Sequence, residues 1–170
     1  MNPKNVSVSS GNLSIKLPAR TLNGGEIMSK DLCGEGSYSA QMKLPNAPPS
    51  ITGFFLYQAP DYASEIDIEI FNDTSRKIMI STYSGSSQTH AETMALPFDP
   101  MTGFYEYRFD CACGSVNFYA DGKLMKTWKD GLPSNSMKLY ANAWYPNWLA
   151  GKKPTKDKYV VVDRIQHTSP

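Results

Sequence analysis

The sequence predicts an all-β domain, an antiparallel β-sandwich of two stacked sheets in a jelly-roll arrangement. Three observations carry this. Short β-rich runs alternate with clusters of Gly, Pro, Asn, Asp and Ser about every eight to twelve positions. No window sustains a helical apolar period. Asp121-Gly122 stands between two such runs, a strong local signal for a tight hairpin.

In chain order, the predicted strands begin with NVSV (5–8) and NLSIKL (12–17), short alternating runs joined by a Ser-Gly turn. GSYSAQMKL (36–44) and GFFLYQ (53–58) flank a Pro-rich connection, and EIDIEIF (65–71) and KIMISTYS (77–84) follow, rich in β-branched residues. FYEYRFD (104–110), SVNFYA (115–120) and KLMKTW (123–128) read as a meander closed by the Asp-Gly turn. MKLYANAW (137–144) and KYVVVDRIQ (158–166) complete the set. No repeat, linker or low-complexity segment divides the chain, so residues 1–170 are expected to form a single domain with a sizeable core.

Composition narrows the partners. The formal charge is +1 and the Lys and Arg residues are scattered, so no basic stripe points to nucleic acid or to an anionic membrane surface. No apolar run is long enough to span a bilayer. The opening MNPKNVSVSSG lacks the apolar stretch of a signal peptide. Cys33, Cys111 and Cys113 are odd in number and lack Cys-x-x-Cys spacing. They read as small semi-buried side chains, with a bridge from Cys33 to one of the other two as the alternative.

The most informative stretch is SEIDIEIFND (64–73), where Glu65, Asp67 and Glu69 alternate with Ile66, Ile68 and Ile70. In a strand the acids share one face and the isoleucines the other. Packing of the isoleucines aims the carboxylates outward. A solvated face would interleave opposite charges, and ligands on one straight strand cannot wrap a calcium ion. Paired-carboxylate catalysis accounts for the row better. A retaining glycosidase needs an acid and a nucleophile about 5–5.5 Å apart. Alpha carbons four residues apart in a strand lie roughly 13 Å apart, and two long Glu side chains leaning together close most of that gap. Crowding holds at least one proton to higher pH, through coupled titrations.

Aromatic residues at strand ends and in loops suit sugar rings: Tyr57, Tyr62, Tyr83, Trp144, Tyr145 and Trp148. Asn142 shares a strand face with Trp144 and offers both a donor and an acceptor. His90, in GSSQTHAE, reads as a hydrogen-bonded loop residue, and His167 lies in the C-terminal tail. No Gly-x-Ser-x-Gly elbow supports a serine nucleophile.

With TGFFLYQAP before it, the EIDIE row resembles glycoside hydrolase family 16, especially its bacterial endo-β-1,3-1,4-glucanases (lichenases). GGEIMS, GSYSAQMKL, FYADGKL, NAW and VVVDRI extend the likeness along nearly the whole chain. The resemblance implies a concanavalin-like jelly roll with a substrate groove on its concave sheet and a retaining mechanism. It implies Glu65 as nucleophile, Asp67 as assisting acid and Glu69 as general acid/base. Substrate contacts carry over onto Glu26, Phe55, Tyr57, Tyr83, Asn142, Trp144 and Trp148. No cofactor is implied for catalysis. A structural calcium would map onto backbone near Gly11 and Asp163.

The chain departs from that pattern in several places. Met28 stands where lichenases carry Arg, and Ser81 replaces an Asn. The Trp expected before the acids is missing, with Tyr62 or Ala63 in a shortened loop instead, and the N-terminal segment is shorter. The expectation is a secreted, monomeric endo-acting β-glucanase acting on lichenan, cereal β-glucan or a related β-glucan. A glucan transglycosylase and a non-catalytic lectin-like sandwich are the alternatives.

Overall fold

Alternating burial runs through residues 36–43, 105–112 and 115–120, as expected of strands with one face on the core. In the computed structural model, which describes residues 1–170, one 3-10 turn (Pro3–Asn5) precedes thirteen strands. They are β1 (Val6–Ser9), β2 (Asn12–Leu17), β3 (Gly25–Met28), β4 (Gly36–Lys43), β5 (Ile51–Gln58), β6 (Ser64–Phe71) and β7 (Lys77–Ser84). The chain continues through β8 (Ser87–Ala95), β9 (Tyr105–Ala112), β10 (Ser115–Ala120), β11 (Lys123–Trp128), β12 (Lys138–Trp144) and β13 (Lys158–Thr168). A seven-stranded sheet runs β1-β2-β13-β4-β9-β10-β11, and a six-stranded sheet runs β3-β12-β5-β6-β7-β8. Every named strand pair is antiparallel. The jelly-roll sandwich expected from the sequence is the observed fold.

The core lies between the sheets. Phe54 and Leu56 of β5, Ile66, Ile68 and Ile70 of β6, and Ile78 and Ile80 of β7 meet Tyr38, Met42, Phe109, Phe118 and Val160 of the facing sheet. Phe54 and Phe109 join the two layers with ring centroids 5.4 Å apart. The β10–β11 hairpin turns at Asp121 (φ 49°) and Gly122 (φ 75°), the two left-handed residues that an Asp-Gly turn supplies.

Two strands escaped the sequence reading. β3 is a four-residue edge strand. β8 is long, but it is a polar edge strand with little buried apolar surface to mark it. His90 therefore lies within β8 rather than a loop, its ring stacked on Trp128 at 4.7 Å. Tyr145 is 8% exposed and belongs to the core cluster, so it is a packing residue and not a sugar platform. The three cysteines are free.

Ile68 is fully buried at the centre of β6. Ile68→Ala should destabilise the fold by about 2–5 kcal/mol. Urea denaturation would measure this, and a loss below about 1 kcal/mol would show that the core is not anchored there.

Candidate active site

The register of the six-stranded sheet places a neighbour on each side of every acid in β6. Glu65 stands between Tyr57 of β5 and Tyr83 of β7, Asp67 between Phe55 and Ser81, and Glu69 between Gly53 and Met79. The rows extend through β12 to β3: Phe55 pairs with Tyr140 and then Met28, and Gly53 with Asn142 and then Glu26. The predicted contacts Glu26, Phe55, Tyr57, Tyr83, Asn142 and Trp144 thus share one sheet face with the acids, while Trp148 lies in the loop after β12.

Hydrogen bonds hold this floor. Asn142 accepts from the Gly53 backbone N–H at 3.2 Å through Oδ1 and donates to Glu26 Oε2 at 3.1 Å through Nδ2. Gly53 is required here, because a Cβ would sit 2.7 Å from Asn142 Oδ1 and 3.2 Å from the Phe55 ring. Ser81 donates to Asp67 Oδ2 at 2.8 Å, Tyr57 donates to Asp61 Oδ1 at 2.5 Å, and Gln88 donates to the Tyr83 hydroxyl at 2.7 Å. Phe55 and Tyr140 stack with centroids 5.0 Å apart and planes 5° from parallel.

A cavity of about 500 Å³ opens over the three acids, with Tyr57, Tyr83, Trp144 and Trp148 in its wall. Glu26, Phe55 and Asn142 continue the same face beyond that cavity. Asp61, Tyr62, Met79 and Gln88 also line it. The period-2 rule applied backwards from Tyr83 and Asn142 reaches Met79 and Tyr140; Gln88 was hidden with β8. A second cavity of about 530 Å³ lies at the end of the sandwich against the 129–137 segment. Its wall gathers no carboxylate row, so its similar size carries no catalytic meaning.

Gly11 and Asp163 belong to the other sheet: Gly11 in the β1–β2 turn, Asp163 at the irregularity in β13 where its pairing with β4 shifts. No three His, Cys, Asp or Glu side chains gather anywhere as a metal cluster. The two positions supply one carboxylate between them, against the six to eight or so oxygens that calcium takes. A calcium ion held there would rest on backbone carbonyls and water.

The electrostatics of the row follow from burial without a counterion. No Lys or Arg stands in the cavity wall, which holds Asp61, Glu65, Asp67 and Glu69. Burial pushes Glu65 up to about 7, the charge of Asp61 adds to this, and a hydrogen bond from Asp67 opposes it. Burial, and then the charge of Glu65, push Glu69 up to about 7. Asp67 is raised well above the usual carboxylate range, by burial first and then by Glu65 and Glu69, against the Ser81 hydrogen bond. Burial and mutual crowding thus hold protons on the row to higher pH than an isolated carboxylate would keep them.

These groups bind protons more tightly folded than unfolded, so their contribution to stability is greatest below about 4.5 and is lost as pH rises through about 7. Glu69→Gln removes the ionisation. It should raise the melting temperature at pH 8 and change it little at pH 4, by roughly 2–4 °C for each kcal/mol relieved. Scanning calorimetry at both pH values measures this, and an equal shift at both would show that Glu69 is not strained by ionising.

Comparison with known proteins fits this geometry. The family profile for glycosyl hydrolases family 16 matches residues 1–163. A β-glucanase of Paenibacillus polymyxa is 30% identical over 165 residues, covering 92% of this chain and 69% of the relative. The solved Bacillus licheniformis β-glucanase superposes with a TM-score of 0.89 at 26% identity, over 98% of this chain and 83% of that one. A galactohydrolase named for galactose-4-sulfate units shares the fold at a TM-score of 0.78 and 17% identity, over 96% of this chain and 82% of that one. An acid row anchored by core isoleucines, in a jelly roll matched from end to end, means that the chain belongs to glycosyl hydrolases family 16 and is a glycosidase.

Proposed function

We propose that the chain is an endo-acting, retaining β-glucanase that hydrolyses β-1,3-1,4-glucan or a closely related neutral β-glucan. The observation that carries this is the row Glu65, Asp67 and Glu69, outward from one strand, with both glutamates titrating near 7. Relatives named β-glucanase support the substrate class. A relative from Rhizobium meliloti, 26% identical and named an endo-1,3-1,4-β-glycanase, supports the mode of attack.

Glu65, as the carboxylate, attacks the anomeric carbon while Glu69, as the acid, gives its proton to the departing glycosidic oxygen. A glycosyl ester forms on Glu65. Glu69, now ionised, takes a proton from water, which attacks the same carbon and releases the sugar with its original configuration. Asp67, two residues along the same strand face and held by Ser81, is the assisting acid that steadies the Glu65 carboxylate as it leaves the ester. Glycosidases of this family need no cofactor for these steps.

The groove's charge narrows the substrate further. A cavity wall with acidic groups and no Lys or Arg has no cation to meet a sulfate or carboxylate, which disfavours sulfated or carboxylated glycans, despite the fold shared with the galactose-4-sulfate hydrolase. Beyond Asp67 the same row passes Ser81 and then Ala91 of β8, both small, which suits a long chain running through the groove. A polymeric glucan lies outside cells, and we place the enzyme there, acting as a monomer.

The roles of the two glutamates separate by experiment. Glu69→Ala should nearly abolish polysaccharide cleavage, since general acid catalysis is worth about 10²–10⁴-fold. It should still form the glycosyl-enzyme from a dinitrophenyl oligoglucoside, and added azide should then yield the β-glycosyl azide. Glu65→Ala should lose both substrates and give at most the α-azide. The reversed pattern of azides would swap the two roles, and an α-configured first product from the native enzyme, seen by proton NMR, would end the retaining assignment.

The same groups set a pH profile. Cleavage of barley β-glucan should fall on both sides of about pH 7, as Glu65 gains a proton below and Glu69 loses one above. A rate that stays flat from pH 5 to pH 9 would show that neither group limits turnover.

A further inference from the structure

We infer that the surface built by residues 16–20 and 152–159 is a second glycan-binding face that takes a carboxylated polysaccharide: its cations pair with uronate carboxylates and Tyr159 lies against a pyranose ring. This face stands outside the groove, and its role does not depend on which neutral glucan the groove cuts.

The fold gathers cations that stand far apart in the sequence. Lys152, Lys153 and Lys156 lie in the long connection from β12 to β13, Lys158 opens β13, Lys16 lies on β2 and Arg20 follows it. Lys158 pairs with Leu17 and Tyr159 with Lys16, which sets the two segments side by side. Beyond the strands, the Arg20 N–H donates to the Pro154 carbonyl at 2.7 Å, and the Ala19 N–H donates to Asp157 Oδ1 at 2.7 Å. Arg20 is left-handed, at φ 62°, a conformation that Gly or Asn adopts more readily. An exposed arginine nevertheless occupies that position.

Against these six cations the two segments hold one carboxylate, Asp157. It is engaged within the joint, accepting from Ala19 and from the Tyr159 hydroxyl at 3.4 Å, with Lys16 Nζ 3.7 Å away. Arg20, Lys152, Lys153, Lys156 and Lys158 make no ion pair, and all but Lys158 are exposed. In a chain of net charge +1 this is a local excess that fits a polyanion.

Tyr159 makes that polyanion a glycan. Its neighbour Val160 is buried, so Tyr159 faces outward, 45% exposed, beside Lys16 and diagonal to Lys43 of β4. An aromatic face flanked by cations matches a uronate ring, which offers C–H groups on its face and a carboxylate on its edge. A single-stranded nucleic acid would call for successive aromatic platforms along a groove, and this face has one ring. The cavity over Glu65, Asp67 and Glu69 holds no Lys or Arg. Neutral and carboxylated glycans thus sort to separate faces of one molecule.

The test titrates the protein by calorimetry with a homogalacturonan oligomer, its fully methyl-esterified form, a single-stranded DNA of matched charge and phosphatidylglycerol vesicles. The free acid should bind, and the ester, with the same rings but no charge, should bind about 10-fold more weakly. Raising the ionic strength from about 0.02 M to about 0.2 M should weaken binding of the acid. Combining Lys152→Gln, Lys153→Gln and Lys156→Gln should weaken it about 10-fold, and Tyr159→Thr alone about 3-fold. Both variants should keep the native melting temperature and the native kcat/KM on barley β-glucan, since none of these residues lines the groove. No binding of the acid, or equal affinity in the native protein and the lysine variant, would overturn the inference. DNA or vesicles bound as tightly as the oligomer would overturn it too, by showing a surface that reads charge alone. A native protein inactive on barley β-glucan would overturn the reading of the groove, while binding of the acid but not the ester would still uphold this face. Should Tyr159→Thr fail to fold, NMR of the Tyr159 ring in the native protein decides: its protons shift on titration with the acid if the inference holds and stay fixed if it does not.

Discussion

Burial of Ile66, Ile68 and Ile70 against the facing sheet is the constraint from which the site follows. Each isoleucine contributes on the order of 1.5–3 kcal/mol by leaving water. A slip of one residue in β6 would turn all three outward and drive Glu65, Asp67 and Glu69 into the core. A one-residue slip is therefore closed to the strand. Once it is fixed, its neighbours are fixed as well, since Tyr57, Phe55 and Gly53 on one side and Tyr83, Ser81 and Met79 on the other are set by the same ladders.

The acid row is costly, and its surroundings preserve that cost rather than cancel it. Moving a carboxylate from 4.5 to about 7 corresponds to roughly 3 kcal/mol against its ionised form. A Lys or Arg beside the row would remove this penalty by drawing the pKa down. It would also remove the proton that Glu69 has to give in the proposed mechanism. The flanking residues are instead neutral: two tyrosines, a phenylalanine, a serine, a methionine and a glycine. Ser81 stabilises ionised Asp67 only in part, and burial prevails.

Much of this was legible in the sequence because it is local. Alternation in 64–71 reveals a strand, its buried face and its outward acids, and Asp121-Gly122 reveals a hairpin. What stayed hidden is lateral. Nothing near Gly53 in the chain says that Asn142 lies against it, nor that Glu26 completes the bridge. β8 was hidden because a polar edge strand buries too little to leave a period, and Gln88 was hidden with it. Tyr145 misled for the opposite reason: composition marks an aromatic residue but not which way it faces, and this one turns into the core. The backbone direction at Tyr62 belongs to the same class, since a left-handed residue and its stacking partner are properties of the folded loop.

The two kinds of information divide the site between chemistry and selectivity. Glu65, Asp67 and Glu69 are carried by a strand whose opposite face is core, so disturbing their placement disturbs the fold. Met28 and Tyr62 are each more than half exposed, one on an edge strand beside Tyr140 and the other on a loop tip above Tyr83. Neither belongs to the core cluster, so exchanging their side chains while keeping the backbone disturbs the fold little. Two positions where this chain departs from the family pattern, Met28 and Tyr62, are thus among those the fold constrains least. Selectivity along the groove is free to change there while the carboxylate chemistry stays where the isoleucines hold it.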